Sequence, residues 1–228
     1  IREVKQILFP VYCITCDLEG ELLCTACKKK ISVPGVFFCP GCGVASEQGI
    51  CCSSCYTTSA IADHVALFPY TSDHPIQKLI EQFKYNYQED LVEIFAVFMT
   101  RFFAERKNMY SDVFCIIPVP LYKKRYVERG FNQATLLAEL LSSSLGIPVQ
   151  EELKRVRHTN QQARLCKKER IKNVQKAFCV MSQTALVGKH VLLVDDVFTT
   201  GSTLHECAKA LKDAGVQKVS SWSLARGG

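Results

Sequence analysis

Two neighbouring acids, Asp195 and Asp196, stand between an apolar run and a stretch of small hydroxyl residues in V-L-L-V-D-D-V-F-T-T-G-S-T, residues 191–203. Ionised carboxylates only accept hydrogen bonds, so an adjacent pair suits a ligand with neighbouring hydroxyls, such as the 2′ and 3′ positions of a ribose. Val197, Phe198, Thr199, Thr200, Gly201, Ser202 and Thr203 then bring backbone N–H groups and four hydroxyls to the expected start of a helix. A phosphate monoester fits there, because the first N–H groups of a helix lack partners within it and its dipole is positive at that end. Gly201 allows close backbone approach, or a dihedral angle that a side chain would forbid. No lysine follows the glycine, which argues against a P-loop nucleoside triphosphatase.

A second chemistry sits near the start of the chain. Nine of the thirteen cysteines crowd into residues 13–55, mostly as C-x-x-C pairs: Cys13 and Cys16, Cys24 and Cys27, Cys39 and Cys42, Cys52 and Cys55. Four such pairs supply two tetrahedral four-thiolate zinc sites, each pair on one knuckle turn. Sequential pairing gives two tandem zinc ribbons; interleaved pairing, and Cys51 in place of Cys52, stay open. The clustering favours metal over disulfides. Zinc thiolates need a reducing compartment, so a cytoplasmic location is expected. Cys115, Cys166, Cys179 and Cys207 are scattered singly and read as buried small hydrophobes or inert thiols.

The elements that must position these groups are those of an α/β protein. Residues 64–70 alternate as a strand. Ile76, Leu79, Ile80 and Phe83 recur at helical spacing behind Pro75, and a second helix is expected at about 91–104. The run at 113–119 is almost wholly apolar, as in a parallel strand covered on both faces. A helix at 132–145 ends at Gly146, with a short strand at 147–149 after it. Strands at 178–181, 191–194 and 219–224 and a helix at 203–214 complete an alternation that implies a doubly wound, parallel sheet. The acids then lie at the carboxyl end of a strand, where such sheets bind ligands. Two domains follow, a cysteine-rich double zinc ribbon at 1–58 and the α/β domain at 59–228. The opening residues do not read as a secretory signal, and no apolar run approaches the roughly 20 residues of a membrane span.

The net charge of +6 is uneven: residues 121–189 hold 14 Lys and Arg against 5 Asp and Glu, which suits a polyphosphate or a nucleic-acid backbone. Within I-I-P-V-P-L-Y-K-K-R-Y-V-E-R-G-F-N-Q-A, residues 116–134, a strand is expected to run into a basic loop. Its Lys123, Lys124, Arg125 and Arg129 could approach a pyrophosphate, and Asn132 and Gln133 begin the next helix. The long basic connection at 155–174 reads as a mobile loop able to cover a reacting centre, with Thr159, Gln162, Arg164, Arg170 and Asn173 as its candidate ligand contacts. His158 in the same loop is more simply a bystander.

Residues 191–203 resemble the phosphoribosyl-pyrophosphate (PRPP) motif of the type I phosphoribosyltransferases. The order of double C-x-x-C ribbons, K-L-I-E-Q-F-K-Y, P-V-P-L, R-G-F-N-Q, T-N-Q-Q-A-R-L and V-D-D-V-F-T-T-G is similar to that of the ComF family over nearly the whole chain. The resemblance implies a type I phosphoribosyltransferase-like fold in which Asp195 and Asp196 take the ribose hydroxyls, residues 197–203 hold the 5′-phosphate, and magnesium accompanies PRPP on the ligand's own oxygens. It also implies a role in natural competence and DNA uptake, with single-stranded DNA and a competence-machinery protein as partners. Thr199 stands where purine-salvage members carry an Asp, so transfer to hypoxanthine or guanine is not expected. Fold does not fix activity. Three readings remain: a PRPP-binding DNA-uptake protein, a transferase acting on a base or amine, and a nonenzymatic PRPP sensor that recruits a partner.

Overall fold

The structure, a computed structural model, describes residues 10–72, 74–85, 89–156, 176–182 and 184–227. In the cysteine-rich part, α1 (Thr25–Lys30) and α2 (Ser53–Tyr56) are short, and β1 (Val36–Phe37) lies between them. There follow β2 (Asp63–Pro69), α3 (Pro75–Tyr85), α4 (Glu89–Ala104), β3 (Cys115–Pro118), α5 (Lys123–Arg129) and α6 (Gln133–Leu145). The chain continues through β4 (Leu153–Arg155), β5 (Phe178–Val180), β6 (His190–Phe198), α7 (Ser202–Asp213) and β7 (Lys218–Arg226).

The main sheet has the order β1-β2-β7-β6-β3. Its β2, β7, β6 and β3 are parallel, and β1 joins the edge antiparallel, with Val36 opposite Ala66. Strand alternation divides the core. Val65, Leu67, Ile116, Leu192, Val194, Trp222 and Leu224 face α3, α4 and α6 on one side. Ala66, Cys115, Ile117, Val191, Leu193 and Val219 face α7 on the other. Helices on both faces explain why the central strands read as continuous apolar runs. The exception is a polar seam: fully buried His64 lies with Nδ1 2.7 Å from Ser221 Oγ and Nε2 3.1 Å from Ser223 Oγ. No helix among the described residues is long and apolar enough to cross a membrane.

Three expectations change in the structure. The basic stretch after β3 is the helix α5, closed by Gly130 in the left-handed region at φ +78. None of its residues is buried, so it leaves no apolar periodicity to read. The strand at 178–180 pairs with β4 in a separate antiparallel pair outside the main sheet. Residues 147–149 contribute only a parallel bridge from Val149 to Ile116.

Candidate functional site

The site lies where β6 ends and α7 begins. Asp195 and Asp196 lie near the carboxyl end of β6, and each holds the next residue's amide: Asp196 N–H donates to Asp195 Oδ1 at 2.8 Å, and Val197 N–H to Asp196 Oδ1 at 2.6 Å. These contacts leave the outer oxygen of each carboxylate for other partners. The loop is anchored from below by Phe198, whose ring packs 4.4 Å from His64 and 4.9 Å from Phe38. Gly201 turns into α7 at φ +69, and a Cβ there would overlap the Phe198 ring, so both conformation and space call for glycine. Thr200 Oγ1 sits 3.0 Å from Ser202 Oγ, closing the hydroxyl-lined rim.

A cleft of about 410 Å³ opens over this loop, and residues 195–204 form one wall. The rest of the lining carries cations. Lys84, at the end of α3, lies with Nζ 3.4 Å from Asp196 Oδ2, while Arg125 and Arg129 of α5 and Arg155 of β4 also line the cleft. Burial, and next the charge of Asp196, push the Asp195 carboxyl up from 3.8 to about 7, with Lys84 and Arg155 pulling the other way. Burial disfavours the charge on Lys84, but Asp196, Tyr70 and Asp195 outweigh it and raise its pKa. The arrangement is an acid pair held beside cations in a partly dry cleft, suited to a ligand that is a polyol at one end and a polyanion at the other.

All the expected loop residues from Asp195 to Thr203 line this cleft, as do Arg125 and Arg129. Lys123 and Lys124 are exposed on α5 and lie outside the cleft lining. Thr159, Gln162, Arg164, Arg170 and Asn173 fall outside the described residues. Tyr70, Lys84, Gln133 and Arg155 also line the cleft and were not among the expected ligand contacts. The one sequence signal for Lys84 is its place as the last cation of an amphipathic helix.

The cysteines form two groups of four, Cys13, Cys16, Cys24 and Cys27, then Cys39, Cys42, Cys52 and Cys55, with all Sγ atoms in a group within 4.8 Å of one another. Zinc–thiolate bonds of about 2.3 Å place tetrahedral sulfurs about 3.8 Å apart. Cys16 and Cys24 are 3.6 Å apart and Cys42 and Cys52 3.8 Å apart, so the sulfurs fit such an ion. The two groups repeat one design. The amide of the third cysteine donates to the first sulfur in each, Cys24 to Cys13 at 3.4 Å and Cys52 to Cys39 at 3.3 Å, and each third cysteine caps a short helix. Burial opposes the thiolate of Cys13, but the amides of Cys24, Thr15 and Cys16 outweigh it and lower the pKa to about 6; Cys39 reaches about 6 in the same way. Cys51 is buried beside Cys39 and outside the group of four.

Competence protein F of Haemophilus influenzae is 36% identical over 96% of this chain and 98% of its own length. The chain belongs to the ComF family. Competence protein ComFC of Bacillus subtilis is 31% identical over 90% of this chain and 85% of its own length, and DNA utilization protein YhgH of Escherichia coli is 29% identical over 97% and 99%. Residues 132–228 match the phosphoribosyl transferase domain family, which takes in β6, the acid pair and the loop. Among solved structures, a Bacillus subtilis glutamine PRPP amidotransferase complexed with ADP and GMP aligns at TM-score 0.40 and 17% identity. That alignment covers 64% of this chain, which spans only 30% of the amidotransferase chain.

Proposed function

We propose that this ComF-family protein binds PRPP with magnesium in the β6–α7 cleft and serves natural competence, acting on incoming single-stranded DNA in the cytoplasm. The observation that carries the reading is one cleft lined together by the acid pair, the hydroxyl loop and the cations Lys84, Arg125, Arg129 and Arg155. Asp195 and Asp196 take the ribose hydroxyls, the amides and hydroxyls of 197–203 take the 5′-phosphate, and the arginines neutralise the pyrophosphate. Magnesium rides on the phosphate oxygens, as its octahedral oxygen preference requires. The names of the relatives supply the competence role. On α5 the exposed Lys123 and Tyr126 stand three residues apart on one face, which supports contact with a strand through phosphates and stacked bases. We assign residues 1–58 to a zinc-bearing module and residues 59–228 to the PRPP domain; the exposed Tyr12, Leu18, Val44 and Tyr56 of the cysteine-rich part are where a competence-machinery protein would make contact.

Calorimetry of PRPP with magnesium on the native chain and on Asp195→Asn/Asp196→Asn tests the reading. Binding in the native chain and its loss in the double variant is the expected result; no binding to the native chain sinks it. A pyrophosphate-release assay with and without single-stranded DNA then separates the activities. Release with a defined acceptor identifies a transferase. Binding without turnover identifies a PRPP-gated DNA-binding or partner-binding protein.

A further inference from the structure

Gln133 is the first residue of α6 and is 2% exposed. A buried primary amide must find partners for its oxygen and both hydrogens, and this one does. Its Nε2 donates to the carbonyls of Phe83 at 3.4 Å and Lys84 at 3.1 Å, in the last turn of α3, where carbonyls lack partners within the helix. Its Oε1 accepts from Arg129 Nη1 at 2.9 Å. Lys84 in turn reaches Asp196, and Arg129 lines the same cleft. One amide therefore ties together two helices that each deliver a cation to the cleft. Only one orientation serves, with the oxygen towards the guanidinium and the N–H groups towards the carbonyls.

We propose that Gln133 is a positioning residue for the polyanion end of the cleft: it holds Arg129 and the Lys84-bearing end of α3 in fixed register, so that a pyrophosphate group meets a cationic frame already in place. The inference rests on the PRPP reading of the cleft. Its physical basis is preorganisation. An arginine held by a charge-assisted hydrogen bond loses less freedom on gripping an anion, and a lysine is only as well placed as the backbone that carries it. The 5′-phosphate end is built instead from the β6–α7 loop, whereas the hydrogen bonds of the Gln133 amide run to Arg129 and to the end of α3.

That separation supplies the test. Inorganic pyrophosphate and ribose 5-phosphate, each with magnesium, are titrated calorimetrically into the native chain, Gln133→Leu, Arg129→Ala and the double variant. Gln133→Leu is expected to weaken pyrophosphate about tenfold and to leave ribose 5-phosphate within about twofold. The double variant is expected to lose less than the sum of the two single losses, because Gln133 acts in part through Arg129 and in part through the end of α3. Gln133→Glu, which keeps an acceptor for Arg129 but turns oxygen lone pairs on the α3 carbonyls, should retain the slowed guanidinium rotation of Arg129 in nitrogen-15 spectra; Gln133→Leu should lose it. Equal weakening of both ligands, or unchanged pyrophosphate affinity in Gln133→Leu, overturns the positioning role and leaves the PRPP reading standing. A native chain that binds neither probe overturns the PRPP reading, and this role for Gln133 goes with it.

Discussion

Replacing Asp195 by Asn should make the ligand-free protein more stable while removing its ligand response. Asp195 is held at about 7 against 3.8, so between those values the folded chain carries a proton that the unfolded chain has released. Stability therefore falls as pH rises through this window, and the whole penalty is present above about pH 7. A shift of that size corresponds to about 4 kcal/mol. Asp195 is only partly buried by its surface exposure, and solvent relaxes its charge, so about 2 kcal/mol is the realistic share. Asn has the same shape and can keep the 2.8 Å contact from the Asp196 amide, but it carries no charge to bury. Urea denaturation should show Asp195→Asn more stable than the native chain by about 2 kcal/mol at pH 8, a gain of about 4–8 °C in Tm for a chain of this size. The gain should shrink at pH 6. Magnesium-PRPP should raise the Tm of the native chain and not of the variant. A variant less stable than native at pH 8, or a gain of equal size at both pH values, would refute the assignment of a charge penalty to Asp195.

Three further outcomes follow from the geometry. Metal analysis should find two zinc ions per native chain and one in Cys24→Ser or Cys52→Ser, while Cys51→Ser keeps both, since its sulfur stands outside the group of four. Gly201→Ala should lower stability by about 2 kcal/mol or more and abolish the PRPP-induced rise in Tm, because the turn needs φ +69 and the Phe198 ring fills the Cβ position. Burial holds His64 neutral with its pKa well below 6.5, so the unfolded chain takes up a proton that the folded one refuses and stability is lost as pH falls below about 6.5. His64→Gln should flatten that loss between pH 7 and pH 5 in parallel denaturation series; an unchanged slope would count against a neutral His64.

The acid pair, its hydroxyl loop and the cysteine pairs were legible in the sequence because their chemistry is local. Four strand residues, two carboxylates and a glycine turn lie within thirteen residues, and each C-x-x-C knuckle within four, so backbone geometry alone brings the groups together. The apolar runs of β3 and β6 were legible for a related reason, since a strand covered on both faces has no polar side to show. Helix α5 was not, because it buries nothing and so carries no periodic signal. Nor was the choice of sulfurs, where Cys51 and Cys52 are neighbours in the chain and only the folded turn separates the ligand from the bystander. The cationic part of the cleft divides: Arg125 and Arg129 were expected from the basic run after β3, while Lys84 and Arg155 are a product of tertiary structure. Lys84 and Arg155 are far from the acid pair in the chain, and an isolated Lys or Arg reads as a solvated surface charge until packing carries it to a carboxylate. Gln133 shows the same point from the inside: its meaning lies in two α3 carbonyls and a guanidinium that only the packing of α3, α5 and α6 brings within reach of one amide.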